Sequence, residues 1–445
     1  MQFYSTNDVT HRVSVEEAIF RGLPADKGLY MPERIDPLPA SFFRELPELS
    51  FTEIGFRVTR QLLGDEINDT DLRTIVEGAI NFPAPVVQLD EQKYVLELFH
   101  GPSLAFKDFG ARFMSRLMGY YNRGKEHELI ILVATSGDTG GAVAAGFYDT
   151  PGIQVVILYP SGKVSALQEK QLTTLGKNIH ALEIDGTFDD CQAIVKQAFL
   201  DAPLRERLRL SSANSINISR LIPQTFYYFE AVKQLGIAGD PIAFCVPSGN
   251  FGNLTAGLIA RQLGLPIHHF IAATNQNDVV PRFLTSGTYD VKPSIPTLSN
   301  AMDVGAPSNF ARMVNLFGHL DGKQTIAANT HTDLQDILSG YSFDDQTTES
   351  AVREVEQQYG YTIDPHGAVG YLALDAWQNT HPATRGVILE TAHPSKFKPD
   401  VERILGHPIH VPQRLAELAD KEKVAHPFAA SYLPIKEWLL ATFGV

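Results

Sequence analysis

The chain reads as an α/β protein: mainly parallel, helix-covered sheet in two units, preceded by a small helical domain. Three features predict this. From about Val86 onward, short apolar runs alternate with helical stretches, the pattern of strands buried on both faces by crossover helices. Two glycine-rich segments, 135–141 and 248–253, each follow an apolar run and precede a helical stretch, so they read as strand-to-helix turns. Before Val86, helical segments are separated by proline-rich turns instead.

Taken in order, residues 15–20 and 51–63 are expected to be helical, divided by the prolines of 32–39 and closed by Pro83 and Pro85. Residues 1–84 are therefore read as an accessory domain. Strands are expected at 129–133, 154–159, 180–184, 242–246, 269–273 and 387–389, with helices at 165–175 and 189–199 between them and another at 254–263. A helix over 223–235 and the turn 236–241 make a seam between two α/β units within one larger region, 85–435. Ligands of open α/β sheets bind beyond the carboxyl ends of the strands, where both glycine turns fall.

The chain has 445 residues, 44% of them hydrophobic and 20% charged, which is ordinary for a globular enzyme of two or three domains. A formal charge of −14 argues against nucleic-acid or acidic-membrane partners, which call for a basic surface. An anionic small substrate would need a local cluster of cations. Two cysteines, Cys191 and Cys245, provide neither a disulfide framework nor a cysteine-rich metal site. The histidines, including His407 and His410, match no zinc spacing, so no metal ligand is assigned. The first residues lack a basic and apolar leader, and no stretch approaches the ~20 apolar residues of a membrane span. A cytoplasmic enzyme is expected.

The chemistry centres on Lys107, set in Gly101-Pro-Ser-Leu-Ala-Phe-Lys-Asp-Phe-Gly110. Phe106, Phe109 and Leu104 around a lysine favour desolvation, which lowers the amine's pKa toward a usable nucleophile. Such amines form imines with carbonyl compounds. The same segment also suits a helix N-terminus with a solvated lysine head. Ser248, Gly249, Asn250, Phe251, Gly252 and Asn253 offer backbone amides at a helix start to a phosphate or carboxylate, and the turn containing Ser136, Gly137, Asp138 and Thr139 offers a second anion site. Neither turn fits a nucleotide-binding fingerprint.

The wording and order of these segments resemble the threonine synthase family, pyridoxal-5′-phosphate (PLP) enzymes of fold type II, whose relatives include serine/threonine dehydratases. The resemblance runs from Gly22-Leu-Pro-Ala-Asp-Lys-Gly-Leu-Tyr-Met-Pro32, through Phe106-Lys-Asp-Phe109 and Tyr159-Pro-Ser-Gly-Lys-Val-Ser165, to Glu390-Thr-Ala-His-Pro-Ser-Lys-Phe397. It implies two open sheets of the fold type II kind. It also implies that Lys107 holds PLP as an imine and moves substrate protons, that the 248–253 turn takes the cofactor phosphate, and that Thr391 meets the pyridine nitrogen. Ser136, Gly137, Asp138 and Thr139 would receive the substrate carboxylate. Asp138 departs from the asparagine common in the superfamily, so its charge must point away, be protonated or meet a cation.

The substrate the resemblance implies is O-phospho-L-homoserine, converted with water to L-threonine and phosphate in the last step of threonine biosynthesis. Its phosphate needs cations, for which Lys163 and Arg220 are the candidates, with Lys396 a third. Two alternatives stand beside this reading: a dehydratase, which needs no second phosphate site, and a non-catalytic sensor of PLP or phosphorylated ligands. Oligomeric state is not readable from the chain.

Overall fold

The computed structural model describes residues 1–135, 137–237, 240–318 and 328–444. Residues 1–80 combine helices with a small antiparallel sheet that the sequence reading omitted. Its strands are β1 (Phe3–Ser5), β2 (Asp8–Val13) and β3 (Tyr30–Pro32), in the order β2-β1-β3. These strands are short and largely polar at β2, so helical periodicity dominates the local pattern. The expected helices are present at Val15–Arg21 and Phe51–Leu63. The latter starts where the Ser50 hydroxyl accepts from the amide of Glu53 and ends at Gly64, whose φ of 66° suits glycine.

Beyond this region the chain builds two larger sheets in an interleaved order. It first lays down β4 (Val86–Gln88) and β5 (Lys93–Glu97). It then forms β6 (Leu129–Ala134), β7 (Ile153–Pro160), β8 (Ile179–Asp185) and β9 (Arg209–Ser212) of the second sheet. The helix Phe226–Leu235, preceded by the tighter turn Ile222–Thr225, leads back to β10 (Ile242–Pro247), β11 (His269–Thr274), β12 (Leu338–Ser342) and β13 (Arg385–Glu390). Finally β14 (His426–Ala429) joins the second sheet. The six-stranded sheet has the order β12-β11-β10-β13-β5-β4, parallel except for β4, and the five-stranded sheet β14-β8-β7-β6-β9 is parallel throughout. Of the turn 236–241 expected between the two units, residues 238–239 lie outside the described residues.

All six strands expected from apolar runs are present, each within two residues of the expected ends. All six are inner strands, although the inner strand β5 is not among them; every residue of β6 and of β10 is buried, because helices cover both faces. Full burial of such side chains contributes about 1.5–3 kcal/mol each. Helix starts follow local chemistry. Ser165 and Thr187 open the helices Ala166–Thr173 and Phe188–Leu200 with reciprocal capping boxes to Gln168 and Asp190. Cys191 and Cys245 are buried thiols, each raised well above the usual thiol pKa by burial. No helix among the described residues is long and apolar enough to cross a membrane.

The consequence for function is directional. β5, β6, β10 and β13 are parallel within their sheets, and their carboxyl ends lead into 98–106, 135–137, 248–251 and Thr391 respectively.

Candidate active site

Lys107 is the first residue of the helix Lys107–Asn122. The loop that delivers it runs antiparallel to the segment after β13: the amide of Phe106 donates to the Thr391 carbonyl (2.8 Å), that of His393 donates to the Leu104 carbonyl (3.0 Å), and Ala105 bridges Ala392. This pairing sets Thr391 alongside the start of the lysine helix. Leu104 takes a left-handed φ of 59° to make the turn, a strained choice for a branched side chain. The Lys107 amine lies 5.9 Å from the Phe106 ring centre. Burial lowers its pKa; Asp138 opposes that shift, while Lys396 and Arg220 reinforce it.

The turn after β10 is a set of free donors. The amide of Ser248 is taken by the Ala273 carbonyl (3.0 Å), and the Ser248 hydroxyl by the Asn253 side chain (3.0 Å), which in turn donates to the Pro247 carbonyl (2.8 Å). The amides of Gly249, Asn250, Phe251, Gly252 and Asn253 donate to no acceptor among the described residues. They lie at and just before the N-terminus of the helix Gly252–Gln262, where the helix dipole favours an anion. Phe251 adopts a left-handed φ of 59° in this turn. Gly249 is required by close approach, since a Cβ there would lie 2.7 Å from the Ala301 carbonyl oxygen and 2.9 Å from the Met302 Cα. Ser308 donates its amide and hydroxyl to the Asn250 side chain (3.3 and 3.0 Å), and the Asn309 amide donates to the Asn250 carbonyl (3.1 Å).

Asp138 opens the helix Asp138–Phe147 after β6. Its charge meets a cation: the Lys396 ammonium is 2.7 Å from the carboxylate, and these side chains are only 1% and 6% exposed, the lysine first. Lys396 also donates to the Ser103 carbonyl (2.9 Å), and the Gln168 amide to Asp138 (3.0 Å). Burial alone would raise the Asp138 pKa, but the charges of Lys396 and Lys107 and these hydrogen bonds bring it below the usual carboxylate range. Lys396, the third phosphate candidate, is thus committed to an ion pair. Gly137 is buried and Thr139 half-buried in this turn, and Ser136 lies outside the described residues.

Arg220 lies in the short helix Ile218–Leu221 and is 3% exposed. It packs on the lysine helix at Gly110, where a Cβ would come within 2.8 Å of its Nε and carbonyl oxygen. One guanidinium nitrogen donates to the Ala213 carbonyl, whereas Nε has no partner among the described residues. Burial lowers its pKa to about 10, with Asp108 opposing. The neighbouring Leu221 reaches Gly252, so this helix links the lysine helix to the amide cradle. Asp108 turns back from Lys107 to accept the Ser103 amide (2.8 Å), and burial raises its pKa to about 6.

The structure therefore gathers Lys107, Asp138, Thr391 and the 248–253 cradle at the carboxyl ends of inner strands of the two sheets, with Arg220 packed against the lysine helix. Lys163 stands apart in the exposed turn after β7, where Asp190 senses its charge. Sequence reasoning missed the pairing of Lys396 with Asp138 and the support from Gln168. The signal available was the acidic residue itself, which demands a cation in an otherwise neutral turn.

A buried lysine, a row of helix-start amides unpartnered among the described residues and a hydroxyl beyond a strand end make up this site, and residues 81–389 match the family described as "Pyridoxal-phosphate dependent enzyme", so the chain is a PLP-dependent enzyme of fold type II. Residues 2–80 match "Threonine synthase N terminus" and 367–437 "Threonine synthase, C-terminal". The chain is 46% identical to threonine synthase of Escherichia coli (strain K12), covering 99% of each. Its structure resembles the crystal structure of the Escherichia coli enzyme (TM-score 0.89, 45% identity, 99% of this chain and 100% of that one). It also resembles that of PLP-bound threonine synthase from Brucella melitensis (TM-score 0.94, 34% identity, 100% and 99%). The chain belongs to the threonine synthase family.

Proposed function

We propose that this protein converts O-phospho-L-homoserine and water to L-threonine and phosphate, with Lys107 as the cofactor-bearing amine. The residues present suit PLP at three points. Five unpartnered amides at a helix start match a phosphate dianion, a pKa-depressed lysine matches the aldehyde, and the Thr391 hydroxyl can donate to an unprotonated pyridine nitrogen. The observation that carries the reading is the pairing of 104–106 with 391–393, which fixes lysine and hydroxyl relative to each other. When bound, PLP supplies the electron sink for carbanion chemistry at the substrate.

The chain's own groups do the rest. Lys107, its ammonium form disfavoured by burial, takes protons from Cα and then Cβ of the substrate. Phosphate leaves from Cγ, which regains a proton, and water adds with its hydroxyl at Cβ while a proton returns to Cα. Gly137, Asp138 and Thr139, with Ser136, form the turn proposed to receive the substrate carboxylate. Arg220, buried with an Nε unpartnered among the described residues, is proposed to hold the substrate phosphate, and Lys163 to add charge from the turn after β7. The same reading takes residues 1–84 as an accessory domain and 85–435 as the catalytic region of an enzyme acting in the cytoplasm. The test has two arms: borohydride reduction of the PLP-loaded protein should place the pyridoxyl label on Lys107, and O-phospho-L-homoserine should yield phosphate and threonine in equal amounts. A label elsewhere sinks the site, and absence of threonine sinks the reaction.

A further inference from the structure

Asp138 lies in the turn proposed for the substrate carboxylate, but its buried pairing with Lys396 beside the lysine loop has no part in the proton transfers described above. We propose that these two residues act as positioning residues with opposed charges, together setting the protonation state of Lys107. This rests on the reading of Lys107 as the cofactor-bearing amine.

The geometry supports it in three respects. Lys396 is tied at both ends, to Asp138 at 2.7 Å and to the Ser103 carbonyl at 2.9 Å, and Ser103 lies in the loop that delivers Lys107. The pair therefore bridges the start of the helix Asp138–Phe147, the segment after β13 and the lysine loop. Gln168 holds the carboxylate from a fourth element at 3.0 Å. The charges that face Lys107 are few: Asp138 favours its ammonium form, while Lys396 and Arg220 disfavour it. Asp108, on the lysine's own helix, is turned toward Ser103, with Arg112 and Lys396 as its cationic neighbours.

A carboxylate alone at this position would hold the amine protonated and unable to act as a base. A lysine alone would compound the burial that already disfavours the ammonium. The pair cancels most of each effect, so Lys107 can alternate between forms. A purely structural staple would instead contribute stability without a signed effect on titration.

The experiment uses full-length, PLP-loaded protein and first locates the borohydride label. With the label on Lys107, the pH midpoint of the visible absorbance is compared among wild type, Asp138→Asn, Lys396→Gln and the double variant. The expected result is a midpoint lowered by roughly one pH unit or more in Asp138→Asn and raised in Lys396→Gln, since a neighbouring charge moves a pKa by about that much. The double variant should return close to wild type. Should Lys396→Gln not fold, the difference between Asp138→Asn and the double variant reads the Lys396 charge alone, and the double should titrate higher. Midpoints that stay fixed, or single variants that move in the same direction, overturn the inference and leave the reading of Lys107 intact. A label on another lysine overturns that reading instead.

Discussion

Placing a carboxylate at the amide cradle should separate cofactor binding from folding, and Gly252→Asp does this with little steric cost. The nearest atoms to a Cβ at residue 252 are the Asn309 side-chain nitrogen at 3.4 Å and a Leu221 methyl at 4.0 Å, both ordinary contacts. Residue 252 is the first of its helix, where an aspartate stabilises by about 0.3–1 kcal/mol through the helix dipole. The cofactor-free variant should therefore melt no lower than wild type. Against a phosphate in the cradle the same charge repels. Two unit charges 4 Å apart at an effective dielectric of 20 cost about 4 kcal/mol, which weakens binding by roughly a thousandfold. PLP occupancy after dialysis, read from the visible absorbance and protein concentration, is the assay. A folded variant that keeps its PLP like wild type would show that the phosphate sits elsewhere.

Three further outcomes are expected. Gly249→Ala forces a methyl against the backbone of Ala301 and Met302 and should lower stability by about 1–3 kcal/mol in denaturant titration; an unchanged midpoint contradicts the close approach. Arg220→Gln should reduce kcat/KM for O-phospho-L-homoserine by tenfold or more, since a charge-assisted hydrogen bond contributes about 1.5–3 kcal/mol. Lys163→Gln, in an exposed turn, should lose less, and the reverse ranking would move the phosphate toward β7. Asp108, with its pKa raised from 3.8 to about 6 by burial, favours folding most when protonated. That contribution is complete below pH 3.8 and is lost as the pH rises through about 6, amounting to about 3 kcal/mol. Asp108→Asn should flatten the decline, and parallel stability profiles from pH 4.5 to 7 would contradict it.

Six of the seven inner strands of the two large sheets were legible in the sequence because burial leaves unbroken apolar runs, as in Leu129–Ala134 and Ile242–Pro247; the seventh, Lys93–Glu97, was not, because charged residues at both ends interrupt its apolar run. Edge strands were not. Arg209–Ser212, Leu338–Ser342 and His426–Ala429 face solvent or neighbours on one side and carry polar residues that resemble loops. The interleaving of the two sheets was equally invisible, because pairing of Lys93–Glu97 with Arg385–Glu390 joins segments far apart in the chain. At the site, local chemistry was readable where one short segment contains it, as at Lys107 and in the 248–253 cradle. The partner of Asp138 was not, because Lys396 comes from the turn Pro394–Phe397 after β13 of the other sheet, far along the chain. Lys163 and Arg220 both stood as phosphate candidates, with arginine favoured for its bidentate geometry; burial, which the sequence does not show, separates them further, one exposed and one 3% exposed with an Nε unpartnered among the described residues.

In the proposed reaction phosphate leaves by elimination from Cγ and water then adds at Cβ. Turnover of O-phospho-L-homoserine in ¹⁸O-labelled water tests it directly. Elimination breaks the Cγ–O bond, so the bridging oxygen departs with phosphorus and the released phosphate should be unlabelled, while the threonine hydroxyl should carry one ¹⁸O. Label in the phosphate with homoserine as the co-product would reveal hydrolysis at phosphorus, and the account given for Lys107 and its cradle would be wrong.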